Sequence, residues 1–136
     1  MANVFTTQIL EEGPRNAVIK LVAVLDTSNQ SLVTAVDIST LNQGGTGPTP
    51  TALRIDHIDY SISDQLGVQL LWDATTDVVA VALAGREDFS FKGFGGLTNN
   101  AGAGKTGNIL VQTTGWASGT QTYTIVLQLV KQGANL

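Results

Sequence analysis

Apolar and polar residues alternate with a period of two through much of this chain, most clearly from Leu53 to Phe94. Val68, Leu70 and Trp72 fall on one face of such a repeat, with Gln69 and Leu71 on the other. Val78 to Leu83 is a continuous apolar run bounded by Asp77 and by Ala84-Gly85. That pattern predicts a strand covered on both faces. Phe89 and Phe91 alternate with Asp88, Ser90 and Lys92. Turn residues separate these runs at Ser63-Asp64-Gln65 with Gly67, at Asp73 to Asp77, and at Gly85-Arg86-Glu87. Asp, Ser and Gly supply the local hydrogen bonds and dihedrals that turns require. Leu53 and Ile55 share one strand face, whereas Ile58, Tyr60 and Ile62 share the opposite one. The apolar phase therefore switches around Asp56-His57. Either a β-bulge inserts one residue there and returns all five side chains to one side, or the two faces are covered in turn.

The rest of the chain reads in the same terms. Val4 to Leu10 is a first strand or an extended N-terminal arm within residues 1–12. Arg15 to Leu25 contains AVIKLVAVL, long enough for two helical turns, but Val18, Ile19, Val22 and Val24 favour a core strand. Leu32 to Ile38 reads as a strand and Ser39 to Asn42 as a short helical turn. Gln43 to Thr51, QGGTGPTPT, is a loop, because its Pro and Gly residues sustain neither a central strand nor a helix. Gly93 to Asn108 is rich in Gly and Asn, Ile109 to Thr114 returns to strand, and Gly115 to Gly119 is a turn. Thr122 to Val130 places Tyr123, Ile125, Leu127 and Leu129 on one face. Lys131 to Leu136 reads as a loose end. About eight short strands without a clear helix predict an all-β fold, a single-domain antiparallel β-sandwich of jelly-roll type over residues 1–136.

Composition narrows the function. The length of 136 residues fits one domain. Charged residues make up 13%, about half the usual ~25%, which suggests surface hidden against partners. A net charge of −4 with scattered Lys and Arg argues against nucleic acid as a partner. The absence of Cys excludes disulfides and thiolate metal sites. Met1 to Arg15 lacks the basic and apolar regions of a signal peptide, and no apolar run approaches the ~20 residues of a membrane helix. Asn29-Gln30-Ser31 matches the glycosylation sequon by chance.

Candidate chemistry is sparse. Gly102-Ala103-Gly104-Lys105-Thr106 resembles the end of a P-loop, but the first Gly of that pattern falls on Asn99, and strand-like residues follow where a helix is needed. His57 is the single histidine and shares a strand face with Asp59. A metal site there would need ligands from elsewhere in the fold, and a histidine hydrogen-bonded within the sheet is the simpler reading. No nucleophile elbow occurs. Glu11-Glu12 and Glu87-Asp88 are neighbours that a strand would point to opposite faces, which fits solvated turns and not a glycosidase pair. Trp72 and Tyr123 lie on apolar faces and read as core. Trp116, within TTGWASG, is the candidate exposed anchor. No catalytic, cofactor-binding or metal-binding residues are expected, and the chain does not read as an enzyme.

Four segments carry a likeness to known proteins: Gly13 to Val18, Ile55 to Ala74, Gly95 to Trp116, and Thr122 to Lys131. Over most of its length, the loop Gln43 to Thr51 excepted, the chain resembles a family of short virion structural proteins of tailed bacteriophages. The resemblance implies a β-sandwich without catalysis or cofactor. It further implies a capsid decoration (cement) protein that binds the outer capsid lattice at capsomer junctions and stabilises the shell. The implied partners are the major capsid protein and further copies of the chain, as a cyclic homotrimer. The implied location is the capsid surface, after assembly in the bacterial host cytoplasm. In that role Val4, Phe5 and Ile9 of the N-terminal segment, together with Trp116, are the candidate interface residues. The alternative within the same class is a head-completion or tail-associated protein that binds glycans through its aromatics.

Overall fold

A computed structural model describes residues 3–41 and 50–132. Nine strands run through them: β1 (Val4–Glu12), β2 (Asn16–Leu25), β3 (Val33–Val36), β4 (Ala52–Ile62), β5 (Gly67–Trp72), β6 (Val78–Leu83), β7 (Arg86–Ser90), β8 (Ile109–Thr114) and β9 (Gln121–Gln132). Helical structure among the described residues is confined to two 3₁₀ turns, Ile38–Thr40 and Lys92–Phe94. The larger sheet has the order β1-β2-β9-β4-β7 and the smaller one β3-β8-β5-β6. The antiparallel pairs are nested: β5 with β6, β4 with β7, β3 with β8, and β2 with β9. The chain is thus one long hairpin, folded about the β5–β6 turn and rolled into two sheets. This is the jelly-roll form of the β-sandwich that the strand pattern predicts. β1 lies outside the roll, as an edge strand on β2.

The core forms where the inner faces of the two sheets meet. Ile19, Leu21, Ala23 and Leu25 of β2 alternate inward, as do Tyr123, Ile125, Leu127 and Leu129 of β9. Val68, Leu70 and Trp72 of β5 and Ile109 and Val111 of β8 belong to the same buried cluster. Burial of this apolar surface, at roughly 25 cal/mol per Å², is the main force holding the sheets together. Tyr123 keeps its polar end satisfied by donating from its hydroxyl to Gln30 Oε1.

Bulges set which side chains face in. Ile55 opposes Leu129 and His57 opposes Gln128, so Asp56 is an extra residue in β4. The slip returns Leu53, Ile55, Ile58, Tyr60 and Ile62 to the core, which is the first of the two sequence readings. A second slip, at Leu10, lies between the pairs Ile9–Ile19 and Glu11–Val18. It turns Glu12 inward, where Lys131 Nζ donates to Glu12 Oε2 at 2.8 Å and to the Gly13 carbonyl at 2.9 Å.

Several expectations are corrected. Glu12 is a partner in this enclosed pair and not part of a solvated turn, although Glu11 is exposed. Lys131 does not begin a loose end: it is paired with Leu53 and extends the inner stripe of β9. Val78 to Leu83 is not covered on both faces, because β6 is an edge strand of the smaller sheet and Val79 is 48% exposed. Val4 to Glu12 takes the strand alternative and is not a free arm. The third strand is shorter than Leu32 to Ile38. Asp37 Oδ1 accepts from the Ser39 backbone N–H at 3.0 Å and caps the 3₁₀ turn at Ile38, one residue before the expected start. Most of the loop Gln43 to Thr51 lies outside the described residues.

Candidate functional site

β1 is a long edge strand with most of its residues exposed. Its one neighbour among the described residues is β2. β3 lies at the corresponding edge of the smaller sheet but has only 4 residues against the 9 of β1. A groove of about 580 Å³ runs between the two edges, lined by Thr7, Ile9, Ile19, Ala35, Val36 and Thr40 among others. The candidate interface residues occupy different positions around it. Ile9 points into the groove and is 44% exposed. Val4 is exposed on the outer face, opposite Val24. Phe5 turns inward opposite Ala23 and packs on the core, so it holds β1 down and presents little surface. Leu10, which sequence reasoning passed over, is exposed at the bulge.

Trp116 is not an exposed anchor. It is half-buried against the core, and its indole N–H donates to the carbonyls of Leu25 at 3.2 Å and Gly119 at 3.0 Å. Its backbone N–H donates to Asn29 Oδ1 at 2.9 Å. The turn after β8 is thereby fastened to the end of β2. The sequon asparagine serves this contact. A tryptophan in a Gly-rich turn looks exposed in sequence because the partner surface comes from a distant segment.

The outer face of the larger sheet carries the chain's histidine. The bulge at Asp56 sets the direction of the residues after it, so His57, Asp59 and Ser61 point outward. Across β7, Asp88 lies directly opposite Asp59. His57 Nε2 sits 3.1 Å from Asp59 Oδ1 and 3.3 Å from Asp88 Oδ2. The sheet hydrogen-bonding expected of His57 is present, and a second carboxylate is added to it. Beyond this cluster the face is mixed, with Val18, Val22, Val126 and Val130 half-buried around Lys20. Burial raises the Tyr60 phenol above its ordinary value, and the negative field of Glu87 and Asp88 adds to the shift.

The P-loop lookalike is a strand connection. Ile109, just beyond it, begins β8 and not a helix. Thr106 Oγ1 donates to Asp73 Oδ2 at 2.8 Å, which ties the connection to the β5–β6 turn. Gly104 has φ +78°, and a Cβ there would meet Thr75 Oγ1 at 2.1 Å. Its glycine serves close packing, with no phosphate cradle required.

No protein-family model and no curated protein matches the chain. Among solved structures, it is similar to a cupin superfamily protein from Desulfitobacterium hafniense DCB-2. The identity is 11% and the TM-score 0.34, over 98% of this chain and 82% of that one.

Proposed function

We propose that this chain is a virion structural protein that decorates a phage capsid, binding the major capsid protein on the outer shell through the β1 edge. The resemblance noted in the sequence gives the class, and the β1 edge is the observation that carries the role. Soluble proteins usually shield an edge strand with Lys, Pro or a covering element. Val4 to Leu10 has neither residue, is uncharged, and borders an open groove in which Ile9, Ile19, Ala35 and Val36 lie among Thr7, Thr34, Asp37 and Thr40. Such an edge suits an added strand or extended segment, whose main chain would pair with β1 while an apolar side chain enters beside Ile9. A cyclic trimer at local threefold positions would repeat that contact on three capsomers. Linked contacts of this kind bind far more tightly than one alone, because the later ones are effectively intramolecular.

Reconstruction of intact particles tests the reading. Hundreds of copies on the outer shell are expected, and particles lacking the protein should rupture at lower temperature. Ile9→Lys should reduce shell occupancy while leaving the isolated protein folded. This change is a cleaner probe than removing Ala2 to Leu10, which would also uncover β2. Density at the neck or tail alone would defeat the decoration role and favour the head-completion or tail alternative.

A further inference from the structure

We propose that His57, Asp59 and Asp88 form a site for a divalent first-row transition cation, with zinc the best match. The three ligating atoms lie within 4.8 Å of one another, two on β4 and one on β7. The two separations from His57 Nε2, 3.1 and 3.3 Å, are close to the edge of a zinc tetrahedron. Bonds of 2.0–2.1 Å at the tetrahedral angle place ligand atoms about 3.3 Å apart. A single ring nitrogen faces both carboxylates, and its one N–H can point well at only one of them. A cation between the three atoms would serve all of them at once.

The strand register points the same way. Asp59 and Asp88 are a directly opposed pair of like charges, an arrangement that weakens a sheet unless something positive lies between them. One imidazole with two carboxylates suits zinc, manganese, cobalt or nickel better than an all-oxygen cation such as magnesium. His57 is held in the sheet with 18% of its side chain exposed, so one ligand is already placed. The carboxylates, at 53% and 61%, leave the remaining coordination positions open on the outer face. Asp88 joins the group only through the pairing of β4 with β7.

The test uses the full chain, treated with chelator and titrated with zinc chloride. With one His and no Cys in the chain, the imidazole signals in a nitrogen-15 spectrum belong to His57 alone. Saturable binding of one zinc per chain is expected, with the Nε2 resonance moving as it becomes a ligand. Asp59→Asn and Asp88→Asn should each weaken binding by more than about tenfold while the amide spectrum keeps the native pattern. The proposal is overturned if no saturable binding occurs up to about 1 mM zinc. It is equally overturned if either variant binds as the parent does, or if magnesium binds as tightly as zinc.

Discussion

The inner and outer faces of the larger sheet both hold a nitrogen-bearing side chain against carboxylates, and they treat it in opposite ways. On the inner face, Lys131 has 1% of its side chain exposed and is fixed by Glu12 and the Gly13 carbonyl. On the outer face, His57 meets Asp59 and Asp88, two carboxylates that stand mostly in water. A buried ammonium has lost its hydration, so its partners must replace it or the strand ends separate. An exposed cluster keeps its hydration, and its mutual attractions are screened. The inward pair is therefore part of the structure, whereas the outward cluster remains available to a ligand.

The largest effect that distinguishes the faces should come from Glu12→Ala. It leaves Lys131 buried without its carboxylate and should cost about 3–5 kcal/mol, measured by urea denaturation. Replacing both partners, Glu12→Met with Lys131→Met, should recover most of that loss, since apolar residues of similar volume need no pairing. If Glu12→Ala cost less than about 0.5 kcal/mol, the pair would be a surface feature and the contrast would fail.

The inner stripe itself was readable from the chain, since Tyr123, Ile125, Leu127 and Leu129 alternate without interruption. The phase change at Asp56-His57 was also visible, but it allowed either a bulge or two faces covered in turn, and the register of β4 on β9 decides for the bulge. The bulge at Leu10 left no such mark: acidic residues follow it, so no apolar phase exists to slip. Glu12 and Lys131 are 119 positions apart, and only the paths of β1 and β9 through the roll bring them together. The composition of Val78 to Leu83 fits a buried strand, but its position at a sheet edge is decided by topology. The same limit hid Asp88 as a neighbour of His57.

Next in size is the core beneath that stripe. Leu127 is fully buried, and Leu127→Ala should cost about 2–5 kcal/mol through lost contacts and the cavity left behind. The loss should appear in the denaturation midpoint with an unchanged slope.

Tyr123→Phe should have a smaller effect, about 1–3 kcal/mol, by leaving Gln30 Oε1 without its donor. It also has a signature in pH. Burial raises the Tyr123 phenol above its ordinary value, and the hydrogen bond to Gln30 opposes that rise only in part. The unfolded chain releases this proton near pH 10, while the folded protein still holds it. The folded state then binds more protons, so the stability contributed by this group is complete below about pH 10 and falls as pH rises towards the folded value. Melting temperatures measured across that range should fall more steeply for the parent than for Tyr123→Phe. Parallel curves would mean that Tyr123 ionises as freely when folded as when unfolded.

The smallest effect is expected on the outer face, and there the sign matters more than the size. Without added metal, Asp88→Asn removes one of two directly opposed carboxylates, which relieves repulsion with Asp59. It also removes one of the two acidic neighbours of His57, but a polar contact this exposed contributes little. The two terms nearly cancel, so stability should change by no more than about 0.5 kcal/mol in either direction. Saturating zinc should reverse this indifference. A cation that binds only the folded parent adds stability that grows with its free concentration, and the variant should lose most of that gain. Thermal denaturation of both proteins, with chelator and then with zinc, gives all four values. A large loss for Asp88→Asn in chelator would show that the cluster is a structural ion pair like that of Lys131, and the distinction between the two faces would disappear.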